Sequence, residues 1–287
     1  MRKSTFTLTR YIRSTFPNLP NNRLKIVERS CKLAAVDESY SAYDVINSLN
    51  NCNWYCFDAN SSFTDTSGTT PATTNSAIAC VKPWIGSGNI TQSTSSKRPT
   101  LLSDGASFNS TNLTFLIGST NLSNTNYSAF VVANVTANSK GAIFANQNDA
   151  NNITAGWFLG VGSTTPDTNG NNLLGGSSGT GGGFITSSFN CTGSKKLLGM
   201  TRNNTDSTIR LYGNNITTTV GSNNTYPSNS ITGGFQVGGY FRSTGSINRH
   251  CDSIIYSVIT GNFQMQGSTL RRITKFLNFY HSLGLTL

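Results

Sequence analysis

Residues 20–51 read as partly helical. Between 37 and 49, Ala42, Val45, Ile46 and Leu49 fall on one face. Asp37 or Ser39 stands where a cap belongs, and Asn50-Asn51 ends the pattern. From Trp54 onward the texture changes. Short apolar runs alternate with clusters of Gly, Asn, Ser and Thr. The pattern predicts strands over 54–58, 78–81, 106–108, 114–117, 128–135, 141–145, 155–161, 184–188, 196–202, 208–212, 233–239 and 251–259. Many short strands with turn residues between them point to an antiparallel sandwich or barrel. Near the end the period lengthens again. Leu270, Ile273, Phe276, Leu277, Tyr280 and Leu283 trace one helical face, with Ser268 or Thr269 as cap and Gly284 as stop. Arg271, Arg272 and Lys275 lie off that face and read as a solvated one. The glycine run 175–183 lacks the Gly-Lys-Ser/Thr ending of a phosphate-cradling loop and reads as a flexible loop.

Composition narrows the class. Only 11% of the 287 residues are charged, against about 25% in an ordinary domain. Glu occurs twice, at Glu28 and Glu38, and helix formers are scarce. No run of eighteen apolar residues is present, so no transmembrane helix is expected. The expected fold class is therefore all-β: an antiparallel β-sandwich over 51–287, a basic, partly helical N-terminal arm over 1–50, and a C-terminal amphipathic helix.

Charge sharpens the reading of the arm. Residues 1–32 hold eight basic side chains against Glu28 alone, a net +7 of the chain's +10. Arg10 and Arg13 interrupt any apolar signal-peptide stretch. Clustered cations can neutralise phosphates, yet no nucleic-acid-binding motif follows. The favoured reading is an arm that docks on another protein. Phe6, Leu8, Tyr11, Ile12 and Phe16 would bury against the partner, and Arg2, Lys3, Arg10, Arg13, Arg23 and Lys25 would supply the basic anchor.

Six cysteines are present. The chain is large, and neither a disulfide framework nor a metal site is implied by their spacing. Cys52-x3-Cys56 comes close to metal-ligand spacing but lacks a second well-spaced pair. On a strand, Cys52, Trp54 and Cys56 share one face, which suits buried thiols beside an aromatic.

From Trp54 to Leu285 the order of short motifs resembles the concanavalin A-like lectin/glucanase (laminin G-like) jelly roll of bacteriophage virion proteins and bacterial adhesins. The residues that carry it are Trp54-Tyr55-Cys56-Phe57-Asp58-Ala59, Arg98-Pro99-Thr100-Leu101, Gly105-Ala106-Ser107-Phe108, the run 128–135, Gly141-Ala142-Ile143-Phe144, Arg210-Leu211-Tyr212-Gly213-Asn214, the runs 235–240 and 253–256, and the closing segment 280–285. The resemblance implies a jelly-roll β-sandwich. Glucanases of that superfamily use neighbouring Glu residues, and no Glu follows residue 38, so catalysis is not expected. The remaining carboxylates, Asp58, Asp65, Asp104, Asp149, Asp167, Asp206 and Asp252, show no i, i+2 or i, i+4 pair. No cofactor is expected. Some lectins of the fold hold calcium, for which Asp149 and Asp167 are the weak candidates. Glycan binding would rest on aromatic platforms, with Trp84, Trp157, Tyr226 and Tyr240 as candidates.

Together these imply a non-enzymatic structural or adhesion protein of a bacteriophage particle: a capsid decoration, head fibre or tail appendage at the virion surface. Its expected partners are other virion proteins through the arm, further copies of itself, and host surface glycans, with neither nucleic acid nor membrane among them. The alternatives are a freestanding carbohydrate-binding lectin module and a glycan-degrading enzyme.

Overall fold

A computed structural model describes residues 3–36, 41–119, 122, 126–146, 157–165, 167–177, 184–203, 208–214, 234–240 and 249–285. Three helices come first: α1 (Lys3–Thr15), α2 (Asn21–Ala34) and α3 (Ala42–Asn50). The strands are β1 (Asn53–Cys56), β2 (Ser62–Phe63), β3 (Cys80–Val81), β4 (Ile90–Thr91), β5 (Thr100–Leu101), β6 (Ala106–Phe108), β7 (Leu116–Gly118), β8 (Tyr127–Val135), β9 (Gly141–Asn146), β10 (Trp157–Gly162), β11 (Asn172–Ser177), β12 (Phe184–Asn190), β13 (Lys195–Asn203), β14 (Thr208–Gly213), β15 (Phe235–Val237), β16 (Gly239–Tyr240), β17 (Arg249–His250) and β18 (Ser253–Gly261). Helix α4 (Gly267–His281) closes the described chain.

Among the described residues the strands form two sheets, antiparallel but for a β17–β9 bridge. One runs β14-β13-β8-β18-β6-β5, and the other β12-β11-β10-β9-β15-β7-β4-β3-β2. One edge of β18 serves two partners in turn: Ser253–Ile255 pair with β6, and Ser257–Thr260 with β1.

The central strand β8 shows how the layers stack. Ala129, Val131, Ala133 and Val135 point into the core between the sheets. Phe130 and Val132 point the other way, into a second core under the helices. Alternation by two sends successive side chains to opposite faces. Both faces are covered here, so the strand reads as one continuous apolar run. β1 behaves alike: Tyr55 joins the core between the sheets, whereas Trp54 and Cys56 join the second core.

The helices correct the expectation of a projecting arm. Leu8, Ile12 and Phe16 recur every four residues, and all three are buried in the second core with Val27, Cys31, Val45, Ile46, Trp54, Phe130 and Phe276. Three of the apolar side chains expected to meet a partner, Leu8, Ile12 and Phe16, are thus buried inside the chain, in a core that the helices share with the seven-stranded sheet. Of the basic anchor residues, Arg10, Arg13 and Lys25 are exposed and Arg23 is half-buried. Arg2 and the side chains of Lys3 and Phe6 lie outside the described residues.

Helix α3 is capped by Ser41 rather than by Asp37 or Ser39, which lie outside the described residues. The Ser41 backbone N–H donates to Asp44 at 2.6 Å, one half of a capping box. Helix α4 buries Leu270, Ile273, Phe276 and Leu277 as the pattern predicts. Lys275, expected on a solvated face, is 9% exposed. The helix stops at Ser282, in the left-handed conformation with φ 53°. Asn278 then clamps Leu285 through two hydrogen bonds of 2.9 and 3.0 Å.

The glycine run also needs correction. Gly175 and Gly176 lie within β11, a strand the apolar pattern does not show. A Cβ at Gly175 would sit 2.4 Å from the Leu211 side chain and 2.8 Å from the Met200 sulfur. The glycine lets β11 approach the facing sheet closely. Residues 178–183 lie outside the described residues.

A candidate polar cleft between the helices and the sandwich

The best-furnished concavity is a cleft of about 300 Å³ where both ends of the chain meet the seven-stranded sheet. Arg23 comes from α2, Asp58 from the chain just after β1, and Asp104 from the turn between β5 and β6. Lys195 opens β13, Tyr256 lies on β18, and Tyr280, His281 and Ser282 end α4.

Two local devices aim these groups. The register between β18 and β8 shifts between Ile255 and Ser257, so Tyr256 is the extra residue of a bulge. A bulge leaves one residue outside the ladder and re-aims its side chain. Gly105 does the same for Asp104. It has φ 89°, and a Cβ there would lie 2.9 Å from the Ile255 carbonyl oxygen and 3.0 Å from the Tyr256 ring. Only glycine allows the β5–β6 turn to close this tightly against β18.

Two ion pairs organise the polar groups. Arg23 Nη2 lies 3.4 Å from Asp58 Oδ2. Lys195 Nζ lies 2.7 Å from Asp104 Oδ2 and 3.8 Å above the Tyr256 ring centroid. Asp58 is held from the other side, where Oδ1 accepts the Asn60 and Ser61 backbone N–H groups at 3.0 and 3.1 Å. His281 Nε2 sits 2.7 Å from Ser257 Oγ. Burial, and then the Lys195 and Arg23 cations, push His281 down to about 3, so its ring is neutral at ordinary pH. Burial holds the Cys56 thiol and the Tyr280 phenol well above their usual values, and burial with the Asp104 carboxylate raises Tyr256. The cleft thus offers two cations, two carboxylates, a neutral imidazole and an aromatic face. Its formal charges balance.

The aromatic platforms do not stand as expected. Trp84 is 1% exposed and packs edge-on against Trp54 at 5.1 Å. Trp157 is 2% exposed, stacked on Tyr127 at 3.8 Å and 7°. Tyr240 is 2% exposed among Ala142, Ala145, Phe158 and Leu174. All three serve the core: Trp84 in the second core, Trp157 between the sheets, and Tyr240 in a small apolar cluster of its own. Tyr226 lies outside the described residues. Asp167 is not free to bind calcium as expected, since Arg249 engages both its oxygens at 2.8 and 2.7 Å. Asp149 lies outside the described residues. The cysteines are buried thiols, with Cys52 and Cys56 flanking Trp54 as the strand reading predicts. Among the described residues no cluster of three His, Cys, Asp or Glu could hold a metal ion.

The fold corrects what carboxylate spacing alone implies. Asp58 and Asp104 are 46 positions apart in sequence yet line one cleft. The sequence signals were present but local: Gly105 marks the turn that presents Asp104, and Arg23 is conspicuous only as part of a charged segment.

No protein-family model and no curated protein matches the chain. Solved structures do match. A Trypanosoma rangeli sialidase in complex with a 2,3-difluoro-nononic acid matches with TM-score 0.51 and 10% identity, over 90% of this chain and 40% of that one. The same sialidase in complex with the inhibitor DANA gives TM-score 0.52 and 9% identity, over 77% of this chain and 32% of that one. The chain thus spans about 40% of the sialidase's length. A looser likeness, TM-score 0.42 at 11% identity, covers 60% of this chain and 92% of the Ruminococcus gnavus IT-sialidase CBM40 bound to α2,3 sialyllactose. At these identities the likeness shows the fold: two antiparallel sheets of the kind found in sialidase structures. It shows neither the concanavalin A-like family nor a bacteriophage protein. The expectation that the chain is not an enzyme is corrected on this finding: sialidases, which are enzymes, are among the structures that match most of its length. The missing Glu pair excluded one catalytic arrangement and said nothing of others on this fold.

Proposed function

We propose that the chain is a carbohydrate-binding β-sandwich whose polar cleft receives a neutral, hydroxyl-rich sugar. The observation that carries this reading is the charge-balanced set of Arg23, Asp58, Asp104 and Lys195 beside Tyr256. Sugar hydroxyls both donate and accept, so they match a site with carboxylates and cations side by side. An aromatic face adds an apolar surface for sugar C–H groups. The sialidase likeness supports sugar binding at the level of fold alone, and the preference for a neutral sugar rests on the charge balance of the cleft. Titration calorimetry against a panel of neutral and acidic oligosaccharides is the test. Asp104→Asn should weaken binding about tenfold, a loss of about 1.4 kcal/mol. Unchanged affinity in both Asp104→Asn and Lys195→Ala would remove the cleft from the reading.

A second reading is favoured by the convergence of Asp58 and Asp104. Two carboxylates are the usual inventory of glycoside hydrolysis. A reducing-sugar assay on polysaccharides decides it, with activity abolished in Asp58→Asn if hydrolysis occurs here. The finer reading, display of the sandwich on a bacteriophage particle, rests on the motif resemblance alone. Mass spectrometry of purified particles lacking this chain would remove it.

A further inference from the structure

A second concavity, of about 800 Å³, runs between the outer face of α2 and the end of α4. Its floor is apolar, with Ile26, Leu33, Phe279 and Leu285, and its rim carries Lys25 and Arg29. Lys25, Arg29 and Leu33 recur every four residues, so they form one stripe of α2. Two features set this groove apart. Ile26 is 38% exposed and Phe279 37%, two of the five large hydrophobic side chains exposed among the described residues. Large apolar side chains gathered on one face mark an interaction surface.

The cations are the second feature. Elsewhere on these helices basic groups are matched: Arg23 pairs with Asp58 and Lys32 with Glu28. Among the described residues Lys25 and Arg29 have neither an ion pair nor a side-chain hydrogen bond, and no carboxylate lines the groove. A partner that fills this groove must bring apolar anchors and negative charge together.

We propose that the α2–α4 groove is a docking site for an acidic amphipathic segment of a partner protein. Its apolar side chains seat between Ile26 and Phe279, and its carboxylates pair with Lys25 and Arg29. This is the helix-in-groove mode of recognition, with charge fixing the register. The groove adjoins the polar cleft, since Tyr280 and Ser282 line both, but Lys25, Ile26, Arg29 and Phe279 line the groove alone.

The probe is a fluorescein-labelled synthetic peptide of about four helical turns, with Leu at helical spacing on one face and Glu on the other. Fluorescence anisotropy with the full chain should give saturable binding that weakens as salt rises. Arg29→Glu combined with Lys25→Glu should weaken it at least about tenfold, and the Glu-to-Lys peptide should recover it on that variant. Both substitutions are at exposed helix positions, and circular dichroism checks the fold. Three results would overturn the proposal: no binding, equal binding by the doubly substituted chain, or equal binding of a peptide with Leu replaced by Asn. Concentration-dependent dimers that vanish with Phe279→Glu would assign the groove to a second copy. Binding to anionic phospholipid vesicles without peptide binding would assign it to a lipid surface. Either outcome overturns the acidic-segment reading.

Discussion

At the scale of single residues, the cleft depends on positions that carry no chemistry of their own. Gly105 combines a positive φ of 89° with contacts that leave no room for a Cβ. Gly105→Ala must displace either the β5–β6 turn or the Tyr256 bulge. A stability loss of about 1–3 kcal/mol is expected in denaturant unfolding, with weaker sugar binding, because Asp104 moves with the turn. A second residue-scale prediction concerns His250. It is 3% exposed, its two ring nitrogens have no hydrogen-bond partner among the described residues, and its ring lies 5.6 Å from that of Phe115. Burial, and then the charge of Lys97, hold it down to about 4, against about 6.5 in an unfolded chain. Between those values the unfolded chain binds a proton that the folded chain does not. Stability is therefore complete above pH 6.5 and falls as the pH drops toward 4, by at most about 1.4 kcal/mol per pH unit from this group. His281 adds a slope of the same sign down to about pH 3. Urea midpoints between pH 7 and pH 4.5 should fall less steeply for His250→Phe than for the parent chain. An identical slope would show that His250 does not titrate in this window.

At the scale of elements, legibility followed the period of the apolar pattern. Strand β8 and helix α4 were readable because a long apolar run and a clean helical face each fit a single kind of element. Helix α3 was readable because its apolar positions share one face and polar residues bound it at both ends. Strand β11 was not, because Gly175 and Gly176 interrupt its apolar signal, the first of them to make room for Leu211. Helix α1 carries two conflicting signals: the charges of Arg10 and Arg13 favour an external partner, whereas the four-residue spacing of Leu8, Ile12 and Phe16 marks a buried stripe. Ile12, fully buried, separates the two views. If α1 is a layer of the fold, Ile12→Ala costs about 2–4 kcal/mol. Arg10→Ala and Arg13→Ala, on the exposed side, stay within about 0.5 kcal/mol. Guanidinium midpoints of the three variants decide it, and an unchanged midpoint for Ile12→Ala is incompatible with the packing described.

At the scale of the whole molecule, the separation into arm and sandwich that charge implied gives way to a three-layer body. The +7 segment, whose described part lies on one face, is a covering layer of the seven-stranded sheet. Removing it has two consequences that an external arm would not have. A chain beginning at residue 51 loses Arg23, leaving Asp58 with no cation at 3.4 Å. It also uncovers the apolar face of the second core against which α2 and α3 pack, chiefly on α4. A face of that kind binds hydrophobic dyes and drives association. The shortened chain is therefore expected to bind anilinonaphthalene sulfonate strongly, to aggregate on concentration, and to lose sugar affinity at the cleft. A soluble, monomeric 51–287 fragment with a cooperative thermal transition and no dye binding would restore the picture of a self-sufficient sandwich carrying a detachable arm. The stability of the helical layer and the completeness of the cleft are thus one property, because α2 supplies to both: Val27 and Cys31 to the second core, and Arg23 to the site.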